Sequence, residues 1–160
     1  CLAQLIDVYE DYGGSVLGVQ QVPQSQVSRY GIVAPHKVKP NVWQAVDLVE
    51  KPEAEKAPSR LAVLGRYVLT PAIFDILEHT KPGTGEEIQL TDAICELARK
   101  EKVYAYRFEG RRYDIGDKEG FLEATVEQAL KRPEIRDDFM AYLVQRIGPL
   151  LRQKMDEDAE

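Results

Sequence analysis

The chain alternates between segments that favour strands and segments that favour helices, and glycine or proline separates most of them. Apolar residues spaced three and four apart predict helices that begin at residues 2, 71, 91, 118 and 137. Thr70 is predicted to cap the second of these helices, and the last two are each predicted to bury an apolar stripe. The stripes consist of Leu122, Val126, Ala129 and Leu130, and of Phe139, Met140, Leu143, Ile147, Leu150 and Leu151. Apolar or alternating runs predict strands over residues 15–22, 30–33, 42–51, 61–69 and 103–109. A turn is predicted at residues 35–41, and Val46 and Leu48 are expected on one face of the third strand. Strands that alternate with helices indicate an α/β fold with a sheet of mixed direction.

Length and charge limit the class of protein. A chain of 160 residues fits one domain with a real core. Its net charge of −6 argues against nucleic acid or an anionic membrane as a partner, since both attract basic surfaces. No apolar run approaches the ~18 residues of a membrane span. Cys1 and Cys95 form no CxxC pair, which favours a reduced, cytoplasmic protein, and Cys95 falls on an apolar helix face expected in the core.

The first residues already follow a helical pattern. Leu2, Leu5, Ile6 and Tyr9 share one face, and Gly13 follows as a C-cap. A domain that begins inside an amphipathic helix, with Cys1 in place of methionine, is expected to be a piece of a longer protein.

Glu50 and Lys51 stand at the end of a predicted strand and are followed by Pro52, which is expected to keep Lys51 extended. Open α/β sheets bind ligands at such strand ends. A carboxylate accepts hydrogen bonds from sugar hydroxyls, and a lysine offers a point charge to a phosphate. The alternative is a solvated charge pair, and these residues alone do not separate the two.

Two glycines interrupt apolar runs. Gly65 lies inside a predicted strand, and Gly31 follows Tyr30 at the start of another. Glycine within a strand marks either a bulge or a place where a ligand approaches the backbone. Both interpretations stay open for each glycine.

The segment that precedes the third predicted helix contains Gly83 and Gly85, but it lacks the strand–loop–helix context of a dinucleotide fingerprint. Thr91 or Asp92 is predicted to cap the helix. Glu87 and Gln89 are polar residues that capping does not explain.

Asp114 and Asp117 flank Gly116 after the last strand-like run, and Asp114 is expected at its end. Magnesium binds one or two carboxylates together with phosphate oxygens, and a neighbouring glycine leaves room for a phosphate. Asp117 stands immediately before Lys118 and suits the cap of the next helix. Asp114 has no such role, so it is the preferred metal ligand.

Six segments together resemble the bacterial UTP–glucose-1-phosphate uridylyltransferases over residues 1–133. They are, in order, S-R-Y-G-I, V-E-K-P, L-G-R-Y-V-L-T-P-x-I-F, G-E-E-I-Q-L-T-D-A-I, F-E-G-R-R-Y-D-I-G-D-K-E-G-F and A-T-V-E-Q-A-L-K-R-P. The resemblance implies the C-terminal part of a Rossmann-like nucleotidyltransferase fold, a mixed β-sheet flanked by helices. It also implies transfer of a uridylyl group from UTP to glucose 1-phosphate, which gives UDP-glucose and pyrophosphate with Mg²⁺ as cofactor.

By this resemblance, Glu50 would hold glucose hydroxyls and Lys51 would bind the glucose phosphate and take part in catalysis. Asp114 would be a catalytic metal ligand that shares the ion with an aspartate outside these 160 residues.

The resemblance extends to the substrate pocket. Gly31 and Gly65 would line it through their backbones, and Glu87 and Gln89 would belong to its wall or its support.

The same resemblance divides the chain into a sugar-1-phosphate-binding part, residues 1–133, and a C-terminal helix with an acidic tail, residues 134–160. The glycine-rich nucleotide loop of these enzymes does not occur in the 160 residues, so the chain alone is expected to be inactive. A homo-oligomer is expected. The rival hypotheses are a non-catalytic oligomerisation or binding module on the same fold, and a related thymidylyl- or adenylyltransferase.

Overall fold

The computed structural model describes residues 1–83 and 86–158. Its strands are β1 (Ser15–Gln21), β2 (Gly31–Lys39), β3 (Val42–Glu50), β4 (Leu61–Val68) and β5 (Val103–Arg107), and its α-helices are α1 (Leu2–Tyr12), α2 (Ala72–Leu77), α3 (Leu90–Lys100), α4 (Lys118–Lys131) and α5 (Pro133–Glu157). The chain forms two compact units, Cys1–Gly110 and Arg111–Glu160. All five strands and the first three helices belong to the first unit.

The strands of the first unit pair in the order β1-β4-β2-β3-β5, and β5 pairs with β1 to close the sheet. The β1–β5 pair is parallel, while the other pairs are antiparallel. Helix α3 packs against β3, and α1 packs against β1 and β4. The predicted mixed sheet with flanking helices is therefore confirmed, and its closure is a feature that the sequence did not indicate.

Helix α3 supplies much of the core of this unit. Ala93, Ile94 and Leu97 fall on one face of the helix and are almost completely buried. They share a hydrophobic cluster with Ala45 and Leu48 of β3. Burying a side chain such as Leu97 stabilises the fold by roughly 1.5–3 kcal/mol, so this face fixes α3 on the sheet.

Strand β2 is longer than predicted. The expected turn at residues 35–41 is instead strand as far as Lys39, and the chain reverses at Asn41, which has a φ of 64°. Pro35 is tolerated because β2 shifts register there against β3.

The same register shift moves the side chains of β3. Ala34 pairs with Asp47 and Pro35 with Ala45, so Val46 is an extra residue without a partner. Val46 is 55% exposed, whereas Ala45 and Leu48 are buried. The prediction that Val46 and Leu48 share one face was wrong, because the bulge breaks the two-residue alternation.

Thr70 was expected to cap α2 with its side chain, but its hydroxyl bonds Glu101 at the end of α3 instead. Helix α2 begins at Ala72 and has no side-chain cap. The Thr70 hydroxyl donates to Glu101 Oε1 at 2.7 Å, and the Thr70 N–H donates to Ser15 Oγ at 3.0 Å. Ser15, fully buried, also donates to Glu101 Oε1 at 3.0 Å. This network joins the start of β1, the end of β4 and the end of α3.

The second unit contains α4 and α5. The Asp117 carboxylate accepts from the N–H groups of Glu119 and Gly120, both at 3.1 Å, which confirms the predicted cap of α4. Helix α5 begins at Pro133 rather than at residue 137, since proline is favoured in a first helical turn.

The predicted buried stripes of these two helices are absent, because neither α4 nor α5 has a buried residue among those described. Leu122, Met140, Ile147, Leu150 and Leu151 are all exposed. Within the described residues, no helix combines the length and apolar character needed to cross a membrane.

We expect Ser15→Ala to lower the free energy of unfolding by about 1–3 kcal/mol, because it removes a fully buried hydroxyl and leaves the partly buried Thr70 N–H without its acceptor. Denaturant unfolding of the 160-residue chain measures the change. Ser28→Ala is the matched control, since Ser28 is exposed in a short 3-10 helix. Equal stability of the two variants would contradict this role of Ser15.

Candidate functional site

The end of β3 carries the two charges that the sequence analysis selected. Glu50 is its last residue, and Lys51 Nζ lies 3.7 Å from Glu50 Oε1. The Glu50 side chain is 24% exposed and that of Lys51 is 61% exposed, so the ammonium group faces solvent above a more sheltered carboxylate.

The backbone at Lys51 differs from the prediction. Its φ is 46°, in the left-handed region, whereas Pro52 was expected to keep it extended. The Lys51 N–H donates to the Tyr30 carbonyl at 3.0 Å, which turns the chain out of β3. A left-handed lysine before proline is costly, and such conformations occur often at ligand sites.

Gly31, Glu50 and Thr91 form one cluster. Gly31 pairs with Glu50 across β2 and β3, and Thr91 Oγ1 donates to Glu50 Oε2 at 2.7 Å. A Cβ on Gly31 would lie 3.1 Å from Glu50 Oε2 and 3.2 Å from Thr91 Oγ1, tighter than ordinary contact. Glycine at position 31 therefore makes room for the bond that orients the carboxylate.

Thr91 is a site residue that the sequence analysis assigned to a different role. It was considered with Asp92 as the cap of α3, but the cap is Gln89 and no side chain bonds there. Thr91 instead lies in the first turn of α3 and faces the end of β3. Only the packing of α3 on β3 brings Thr91 to Glu50, so local sequence patterns did not reveal the pair.

Tyr67 of β4 also lies in the electrostatic environment of Glu50. Burial raises the pKa of the Tyr67 phenol, and the negative charge of Glu50 raises it further. The hydroxyl is protonated at neutral pH, as an unperturbed phenol also is, and can donate a hydrogen bond. With one Glu50 oxygen fixed by Thr91 and the other beside Lys51, these groups suit a ligand that carries both hydroxyls and an anionic group.

Gly65 has a structural explanation in β4. Its φ is 68°, a conformation that favours glycine, and it lies where β4 shifts register against β1. The bulge interpretation of Gly65 is thus confirmed. A Cβ at this position would meet no atom within 4 Å, so the space beside Gly65 is open.

Glu87 and Gln89 lie just before α3. Glu87 is exposed, and its carbonyl accepts from the Gly83 N–H at 2.9 Å. Gln89 is half-buried, and its carbonyl accepts from Asp92 and Ala93 in the first turn of α3. The Thr84–Gly85 pair of the glycine-containing loop lies outside the described residues.

Asp114 belongs to the second unit and does not end a strand, because β5 stops at Arg107. Arg112 Nη2 donates to Asp114 Oδ2 at 2.8 Å, and the Gly116 N–H donates to Oδ1 at 3.3 Å. About half of the side chain is exposed.

A divalent cation fits Asp114 as a single carboxylate ligand. No group of three or more histidine, cysteine or acidic residues is arranged to hold a metal within the described part of the chain. Magnesium takes few protein ligands and keeps water and phosphate oxygens around it, so one exposed carboxylate is compatible with it. Asp117 is the weaker candidate, since its Oδ2 already caps α4.

Cys95 is less buried than the predicted core position. It lies half-buried on α3, and its thiol donates to Asp47 Oδ1 at 2.8 Å on β3. Burial first, and then the hydrogen bond to Asp47, raise the pKa of the Cys95 thiol from 9.0 to about 11.

We expect iodoacetamide to alkylate Cys95 slowly at pH 8. A pKa of about 11 in place of 9.0 lowers the thiolate fraction roughly a hundredfold. Peptide mapping compares Cys95 with the exposed Cys1. Alkylation of both thiols at one rate would refute the shift.

The raised pKa of the Cys95 thiol also affects the stability of the fold. It stabilises the folded state below pH 9, and that contribution is lost as the pH rises through 11.

A profile of the nucleotidyl transferase family matches residues 2–130. The chain belongs to this family. Among its curated relatives, the UTP–glucose-1-phosphate uridylyltransferase of Staphylococcus epidermidis is 52% identical over 144 residues, 90% of this chain and 50% of the relative. The enzyme of the same name, numbered 2, from Streptococcus pyogenes is 48% identical over 89% of this chain and 48% of the relative. The chain thus spans about half the length of the curated relatives it matches.

Solved nucleotidyl transferases agree with this assignment. A UDP-glucose pyrophosphorylase complexed with UDP-glucose has 44% identity and a TM-score of 0.76 over 81% of this chain and 49% of that one. A UTP-bound enzyme from Acinetobacter baumannii has 35% identity and a TM-score of 0.77 over 90% of this chain and 50% of that one. A glucose-1-phosphate thymidylyltransferase from Bacillus anthracis is only 20% identical, with a TM-score of 0.58 over 76% of this chain and 46% of that one, and shares the fold alone.

Proposed function

We propose that this chain provides the sugar-1-phosphate site of a UTP–glucose-1-phosphate uridylyltransferase. The cluster of Gly31, Glu50 and Thr91 beside Lys51 is the observation that carries the proposal, because it presents an oriented carboxylate next to a cation. The enzyme's partners are glucose 1-phosphate, UTP and UDP-glucose. We propose the cytoplasm as the location, because the two cysteines are free thiols, which fits a reducing compartment.

In this site the carboxylate of Glu50 accepts hydrogen bonds from glucose hydroxyls, while Lys51 binds the phosphate and neutralises charge that develops during transfer. The backbone of Gly31 lines the pocket beside them. Gly65 contributes the open space above its bulge. Glu87 and Gln89 support the pocket wall from the segment that precedes α3. The sugar-phosphate part spans residues 1–133, and residues 134–160 are an appended helix and tail.

Asp114 is the proposed ligand of Mg²⁺. A bound Mg²⁺ would supply positive charge that stabilises the phosphate groups of the reactants. Asp114 would contribute one carboxylate oxygen to the ion. Its main chain is held at the start of α4, where its carbonyl accepts from the N–H of the cap residue Asp117. Arg112, its present partner, offers the carboxylate a counter-charge in the ion's absence.

A thymidylyl- or adenylyltransferase is the nearest alternative, since the fold is shared. The uridylyl assignment rests on relatives that are 52% and 48% identical, compared with 20% for the thymidylyltransferase structure. A non-catalytic module on the same fold would not need an oriented Glu50 beside Lys51, so substitution of Glu50 separates that alternative from the proposal.

In a full-length nucleotidyltransferase that contains these residues, we expect Glu50→Gln to raise the KM for glucose 1-phosphate and to leave UTP binding unchanged. The amide loses charge-assisted hydrogen bonds worth roughly 1.5–3 kcal/mol each. Initial rates at varied glucose 1-phosphate measure the effect. Glu53→Gln is the control, because Glu53 pairs with Lys56 at the surface. If both variants keep the wild-type KM and kcat, Glu50 is only a surface charge.

We expect Asp114→Asn to raise the magnesium concentration that gives half-maximal rate and to lower the maximal rate, because it removes a charged ligand but keeps the shape. Asp117→Asn is expected to cost less, since asparagine also caps helices. Magnesium titration of the full-length enzyme compares the two. A larger loss in Asp117→Asn would reverse the assignment.

A homo-oligomer is the proposed assembly, with α5 against a second copy. Met140, Val144, Ile147 and Leu151 are exposed at a spacing of four, three and four residues, which forms one apolar stripe. Removal of residues 134–160 is expected to reduce the number of subunits per particle found by sedimentation, whereas removal of residues 156–160 is expected to leave that number unchanged. If the protein without residues 134–160 keeps the subunit number of the full-length protein, α5 is not the interface.

A further inference from the structure

Gly120 stands in the first turn of α4, where its absence of a side chain needs an explanation. Its backbone is helical, so it requires no conformation special to glycine. In a helix, glycine is about 1 kcal/mol less favourable than alanine. Glycine at this position is therefore explained by a neighbouring group that leaves no room for a side chain.

The contact is with the main chain of Asp114. A Cβ on Gly120 would lie 3.0 Å from the Asp114 carbonyl carbon, 3.3 Å from its nitrogen and closer still to its carbonyl oxygen. A backbone cannot move aside as the end of a flexible side chain can. The Asp114 carbonyl also accepts from the Asp117 N–H at 3.2 Å, which ties it to the cap of α4.

The residues before Asp114 are held along the same side of the helix. Arg111 forms ion pairs with Glu123, at 2.5 Å, and with Glu127. The Tyr113 hydroxyl donates to Glu127, and Lys131 lies 5.9 Å from the centre of the Tyr113 ring.

Gly120, Glu123, Glu127 and Lys131 are three or four residues apart, so they form one stripe on α4. Arg111 and Tyr113 contact the part of the stripe from Glu123 to Lys131. The backbone of Asp114 lies against Gly120, at the N-terminal end of the stripe. The acidic side chains thus hold the residues that precede Asp114, and glycine at position 120 lets the Asp114 backbone come close to the helix.

We infer that Gly120 is a positioning residue for Asp114, and that the Glu123–Glu127 pair assists it by fixing the preceding residues. This inference rests on the proposed function, because it takes Asp114 as the metal ligand. A side chain at position 120 displaces the Asp114 backbone, and with it the carboxylate, while the glucose-binding groups of the first unit keep their own contacts.

The test compares Gly120→Ala with Gly148→Ala in the full-length enzyme. Gly148 lies inside α5, and a Cβ there would meet nothing nearer than an Arg152 nitrogen at 4.0 Å. Magnesium titration of activity gives one readout. Binding of Mn²⁺ in the presence of UDP-glucose, followed by the electron paramagnetic resonance of the free ion, gives a second that does not depend on turnover.

We expect Gly120→Ala to raise the half-saturating magnesium concentration and the Mn²⁺ dissociation constant about tenfold or more, as loss of a group that supports a metal ligand does. The KM for glucose 1-phosphate is expected to stay near wild type, and Gly148→Ala to change neither readout. Wild-type metal binding in Gly120→Ala, while Asp114→Asn weakens it, would overturn the inference.

Asp114→Asn separates this inference from the proposed function. If that variant keeps wild-type metal binding, the assignment of Asp114 itself is wrong. If Gly120→Ala does not fold, Glu127→Gln decides instead, because it weakens the ion pair with Arg111 and adds no atoms at the Asp114 contact. Unchanged metal binding in a folded Glu127→Gln would then refute the positioning of Asp114 by α4.

Discussion

The packing of α3 on β3 is the contact on which the first unit depends. The apolar face of α3, which includes Leu97, is buried against the sheet. Polar bonds then fix the helix along its length. Thr91 bonds Glu50 near the start, Cys95 bonds Asp47 in the middle, and Glu101 accepts from two hydroxyls just past the end. Apolar burial supplies the stabilisation, and the directional bonds set the position of α3, so a shift of the helix would disturb the candidate sugar site.

Each of the two candidate sites, the sugar site and the metal site, contains a glycine against which another residue packs closely. Gly31 allows the Thr91–Glu50 bond in the first unit, and Gly120 allows the Asp114 backbone to touch α4 in the second. Neither glycine has a positive φ, unlike Gly65, whose conformation explains it directly. Space rather than backbone freedom therefore selects glycine at positions 31 and 120, and in each case the neighbouring group is a carboxylate-bearing residue of the proposed site.

Several elements followed from local pattern alone. The amphipathic spacing of α1 and α3 and the apolar runs of β1 and β4 predicted these elements closely, because the apolar residues of each element are buried in a hydrophobic cluster. The Asp117 cap was also predictable, since it involves only neighbours in sequence. Predictions failed where a distant partner decided the outcome, as with the bulge at Val46 and the Thr70 hydroxyl that bonds Glu101 instead of capping α2.

The sequence by itself determined the family, the mixed α/β class and the choice of Glu50, Lys51 and Asp114 as candidate site residues, because residue types and their order carry that information. Only the tertiary structure decided that Thr91 orients Glu50, that the sheet closes through β1 and β5, and that α4 supports Asp114 at Gly120. The first two features join residues that are far apart in the chain, and such pairings arise from packing of whole elements, which no local pattern encodes. The third joins near neighbours, but it depends on how the segment before α4 folds back against the helix.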